Sequence, residues 1–180
     1  MAKKDEYYPS QAEVDKIILM PKSVNLTDAT WITSPPPNRV PMWMQMNLSP
    51  LDELGYPITH LRFILQYRPA QEIESGESSK LSIIALYRNT RIYALDPFPY
   101  DKHTNKAIVD HPDFSKSVTG AHYHLYFEHA KCDIGLKLQS NLAHDDVDGY
   151  WSIFCSKMNV TQKGRLVHPL ELESGQLRLL

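Results

Sequence analysis

Between Met42 and Leu138 the apolar runs are six or seven residues long. That length suits a strand and is short for a helix. The runs are Met42–Leu48, Leu61–Tyr67, Leu81–Tyr87, Arg91–Asp96, Ala121–Phe127 and Cys132–Leu138. In the first, Met42, Met44, Met46 and Leu48 share one face. Leu81–Tyr87 is apolar on both faces, which places it centrally in a sheet. Arg88-Asn89-Thr90, between it and the next run, has the length of a hairpin turn.

Helical patterns stand only at the two ends. Ser10-Gln11-Ala12-Glu13 is a capping box, with Val14, Ile17 and Ile18 at helical spacing and Pro21 as a stop. The spacing predicts a helix over 11–20. Val147, Trp151, Phe154, Cys155 and Met158 recur at three and four residues and predict an amphipathic helix over 145–159. Its opening residues Asp145, Asp146 and Asp148 match the positive end of the helix dipole. The expectation is an α+β fold, a mainly antiparallel sheet of about five or six strands with an N-terminal helix and a C-terminal amphipathic helix. Residues 1–160 are read as a single domain and 161–180 as a C-terminal tail. Ser34-Pro35-Pro36-Pro37-Asn38 reads as a stiff connector and Gln71–Ser79 as an exposed loop. Pro97–Thr119 shows no periodicity, and loops of that length are often functional.

Charge narrows the function. Formal net charge is −2, so no strong basic field exists to hold nucleic acid non-specifically. Lys80, Arg88, Arg91 and Lys102 come nearest to a basic patch and read as scattered solubilising charge. Met1–Glu6 is charged with no apolar stretch behind it, unlike a secretory signal. No run spans a bilayer, so no membrane partner is expected. Cys132 and Cys155 are too few for a disulfide framework. The expected setting is cytoplasmic, and the sequence leaves the oligomeric state open.

Chemistry concentrates in the histidines. Six of eight lie between His103 and His144. Alternation puts His122, His124 and Tyr126 on one face of a strand, with Tyr123, Leu125 and Phe127 on the other. Such a face suits acid–base chemistry on a phosphodiester without metal or cofactor. His122 and His124 would share the acid and base roles with His103 assisting. Arg91 would hold phosphate through its forked donors, and Tyr126 would orient the site. These five are the candidate catalytic residues.

Two resemblances bear on this. Ser10–Glu13, Arg91–Asp96, His103-Thr104-Asn105, Gly120–Tyr126 and Trp151–Cys155 occur here in an order that resembles a family of small bacterial and prophage proteins. That resemblance implies a phage–host conflict role, and with the histidines a toxin-type ribonuclease acting on RNA. The alternative expectation is a non-enzymatic binding module, an inhibitor or antitoxin-like protein with a protein partner. His122-x-His124-x3-Glu128-x6-Gly135 resembles, in part, the first motif of the cupins. Lys116 stands where that family has a glycine, and its second motif is not visible. This resemblance implies a metal-dependent enzyme, ranked third.

Overall fold

The computed structural model describes residues 7–34, 43–70 and 78–171. The first elements are α1 (Gln11–Leu19), β1 (Lys22–Asn25), β2 (Ile32–Ser34), β3 (Trp43–Leu48), β4 (Leu61–Arg68) and β5 (Lys80–Tyr87). Then come β6 (Thr90–Asp96), β7 (Lys102–Thr104), β8 (Ser117–Thr119), β9 (His122–Phe127), β10 (Cys132–Lys137), α2 (Val147–Met158) and β11 (Val160–Lys163).

The fold is α+β. Seven strands form an antiparallel sheet in the order β10-β9-β6-β5-β4-β3-β2. The doubly apolar β5 lies in the middle, as its composition requires. Its hairpin with β6 turns through Arg88 and Asn89, both at positive φ (49° and 67°), the backbone of a two-residue turn matched to strand twist. The capping box at α1 is complete: Ser10 accepts from the Glu13 amide, and the Glu13 carboxylate accepts from the Ser10 amide.

One sheet face is covered by α2. Phe154 meets Phe63 edge-on at 5.1 Å between ring centroids and Tyr93 at 5.6 Å, while Trp151 stacks on it at 5.5 Å. Phe63, Leu65, Ile83 and Leu95 are buried beneath. Each such side chain contributes roughly 1.5–3 kcal/mol by leaving water.

Several expectations change. The sheet has seven strands rather than five or six, because three-residue β2 was too short to register as a pattern. The segment 97–119 contains β7 and β8, which pair as a separate ribbon. Of the expected tail, residues 161–171 are described, and they pack on the rest of the chain: β11 pairs in parallel with β1, Leu166 is buried in the core, and Trp31 Nε1 donates to the Val167 carbonyl at 2.7 Å. The expected connector begins inside β2, which ends at Ser34; its residues 35–38, Met42, residues 71–77 of the expected loop and residues 172–180 lie outside the described residues. Among the described residues, no helix is long and apolar enough to cross a membrane.

Candidate metal centre

Antiparallel register builds the floor of the site. Ala94 of β6, His124 of β9 and Gly135 of β10 lie abreast, and beside them Asp96, His122 and Lys137 form the next row. Residues directly opposite share a face. His124 is therefore flanked by a methyl group on one strand and a hydrogen on the other. The space above Gly135 is filled by His103: a Cβ on Gly135 would lie 2.6 Å from His103 Cδ2.

His103 arrives from outside the sheet. It sits on β7 opposite Val118 of β8, and the ribbon is fastened by Asn105. That side chain is buried; its Nδ2 donates to the Gly135 carbonyl at 2.8 Å and the Ser115 carbonyl at 2.7 Å, and its Oδ1 accepts from the Gly135 amide at 2.8 Å. Asn105 thus pairs with the outer edge of β10 as a neighbouring strand would. Beyond it the chain continues around the edge strand, where Val109 and Phe114 pack with Ile134 and Leu136. The loop wraps β10, with His103 on one face and Val109 against the apolar side chains of the other.

The wrapping buries the histidine face of β9. His122 and His124 are 3% and 1% exposed, whereas Tyr123, Leu125 and Phe127 are only partly buried. The three imidazoles meet, with ring centroids 5.5 Å apart for His103–His122, 4.7 Å for His103–His124 and 4.9 Å for His122–His124. One ligand nitrogen from each lies within 4.8 Å of the others.

The surroundings orient the rings. His122 Nδ1 lies 2.8 Å from the Gly120 carbonyl. A carbonyl only accepts, so Nδ1 carries the proton and the neutral ring keeps its lone pair on Nε2. His124 lies between two carboxylates: Nε2 is 3.0 Å from Asp96 Oδ2, and Nδ1 is 2.6 Å from Asp133 Oδ2. Neither approach follows the in-plane direction of a ring N–H, so both are charge contacts rather than aligned hydrogen bonds. Ser82 Oγ donates to Asp96 Oδ1 at 2.5 Å, and Arg91 Nη2 donates to Asp133 Oδ2 at 2.6 Å.

Charges follow this geometry. Burial opposes ionisation of Asp133, but His124 and Arg91 outweigh it and hold the carboxyl at about 2. Asp96 is likewise lowered against its burial, by His124 and Ser82. Burial lowers His103 and His122, helped by their neighbouring imidazoles. Burial also opposes a charge on His124, yet the flanking carboxylates raise it.

Of the expected residues, His103, His122 and His124 come together. Arg91 reaches the periphery and is engaged by Asp133. Tyr126 shares the strand face, but its hydroxyl donates to the Pro9 carbonyl at 2.9 Å and fastens the N-terminal segment. The carboxylate of Glu128, the third residue of the cupin-like string, accepts from the Gln11 amide at the start of α1. Asp96, Asp133, Ser82, Asn105 and Gly135 were not singled out as site residues. The alternation of Asp133 with Gly135 was visible, but its meaning depends on a register that spacing does not supply. No family model, curated protein or solved structure matches this chain.

Proposed function

We propose that this chain is a metalloprotein that holds a divalent transition-metal ion on His103, His122 and His124. The observation that carries the reading is the convergence of three imidazole nitrogens within 4.8 Å in a largely buried place. Imidazole suits zinc, copper, iron and nickel. Metal–nitrogen bonds of about 2.0–2.1 Å put tetrahedral ligands about 3.3 Å apart, so nitrogens now within 4.8 Å would close in by at most about 1.5 Å on binding.

The outer contacts support it. Ligating histidines usually present their second nitrogen to a carbonyl or carboxylate, which fixes the ring. His122 does this with Gly120 O, and His124 faces Asp133, itself held by Arg91. The reading departs from the expectation of metal-free chemistry on RNA. A general base must come within hydrogen-bond reach of its proton. His122 and His124, 3% and 1% exposed, give a polymer backbone no approach.

The test is calorimetric titration of demetallated protein with zinc. One ion per chain is expected, with binding lost in His122→Ala/His124→Ala. Zinc at a hundredfold its Kd should stabilise the wild type by about 2.7 kcal/mol, raising Tm. A wild type that takes up no zinc, copper, iron or nickel overturns the reading.

A further inference from the structure

We propose that Asp96 is the fourth ligand and closes this centre as a tetrahedral site of three histidines and one aspartate, the kind that suits zinc. The inference rests on the three-imidazole reading and assigns what completes it.

Asp96 Oδ2 lies 3.0 Å from His124 Nε2 and 3.9 Å from His122 Nε2. Those separations bracket the roughly 3.3 Å expected between ligand atoms around one tetrahedral ion. The chemistry of the facing atoms points the same way. With its Nδ1 proton directed at the Gly120 carbonyl, the neutral His122 ring presents a lone pair at Nε2. The carboxylate oxygen beside it is also an acceptor. Nε2 of His124 completes the group, buried and without an aligned hydrogen-bond partner. Once a metal displaces the proton of His124, these are three acceptors in a buried place, and the ion between them takes over the charge that the His124 proton supplies to Asp96.

The remaining oxygen of Asp96 is engaged. Ser82 donates to Oδ1 at 2.5 Å, which leaves Oδ2 as the single oxygen turned to the histidines. Asp133 cannot take this place, because it faces Nδ1 on the far side of the His124 ring and is held by Arg91. One aspartate is therefore a ligand and the other a positioning residue. With four protein ligands no coordination position is left for substrate, which is the pattern of a structural metal. Three ligands belong to neighbouring strands of the sheet and the fourth to the ribbon, so the ion would join β7 to β6 and β9.

Cobalt(II) provides the test, because four-coordinate cobalt absorbs far more strongly in the visible than six-coordinate cobalt. Metal-free wild-type chain titrated with cobalt should bind one equivalent and give the intense four-coordinate spectrum. Asp96→Cys should add a thiolate-to-cobalt charge-transfer band in the near ultraviolet that the wild type lacks. Asp96→Asn should bind cobalt roughly tenfold or more weakly. Ser82→Ala keeps the carboxylate and should lose a few-fold. Cobalt binding with a weak six-coordinate spectrum in the wild type overturns the inference, independently of whether any variant folds. So does folded Asp96→Cys that binds cobalt without the new band, or Asp96→Asn that matches the wild type. In those cases the three-imidazole site survives, whereas a wild type that binds no metal removes both.

Discussion

At the scale of single residues, Gly135 carries the most constraint for the least substance. Its missing side chain is where the His103 ring rests, and its backbone holds Asn105. In Gly135→Ala the new methyl would stand 2.6 Å from His103 Cδ2, so the ring must leave. Zinc affinity should fall roughly tenfold or more, while the amide and carbonyl of residue 135 keep their partners and Tm without metal changes little. Zinc titration beside thermal unfolding checks this, and unchanged affinity would mean that His103 does not ligate. His122 and His124 were legible from alternation alone. Asp96 and Gly135 were not, because their role comes from lying abreast of β9, and register is a property of pairs of strands.

Among elements, the two helices show how local signals and long-range contacts divide the work. Capping box and apolar period place α1 and α2 within two residues of their observed bounds. No spacing shows that their C-terminal ends meet on Lys22. The buried Lys22 ammonium donates to the carbonyls of Ile18, Met20 and Met158, and Asn159 Nδ2 donates to the Leu19 carbonyl at 2.7 Å. These are the orphan acceptors of two helix ends, where positive charge is favoured. Burial nonetheless lowers the Lys22 pKa to about 8. Below that pH the lysine is charged in both folded and unfolded chains, and the desolvation cost is felt in full. Between about 8 and the ordinary lysine value near 10.4, the folded chain sheds a proton that the unfolded chain retains, so this group adds stability as pH rises. Denaturant unfolding of the wild type and Lys22→Met from pH 7 to 10 should show that slope in the wild type only. Parallel curves would exclude it.

For the whole molecule, the last described residues matter more than their composition suggested. The segment after Val160 lacks a clear strand pattern, yet β11 pairs with β1, and Leu166 and Trp31 close the core beside it. Parallel pairing between distant ends leaves little trace in either segment, since each reads as a few mixed residues. A chain ending at Asn159 should lose several kcal/mol through Leu166 burial, the Trp31 hydrogen bond and the β11 ladder. A truncated chain with the wild-type urea midpoint would show these contacts to be incidental. The edges of the sheet differ as well. On one side β2 is three residues long and carries Ile32, 52% exposed. On the other, the amide and carbonyl of Gly135 are already occupied by the Asn105 carboxamide. A free strand edge recruits other chains into fibres, and the Asn105 amide, with the loop that wraps β10, guards this border against edge-to-edge pairing. Loss of ammonia from the amide with age would leave an acid unable, once ionised, to donate to the Gly135 carbonyl. Hydrolysis of that single amide would therefore thin the guard at β10, leaving the apolar wrap of Val109 and Phe114 to cover the border.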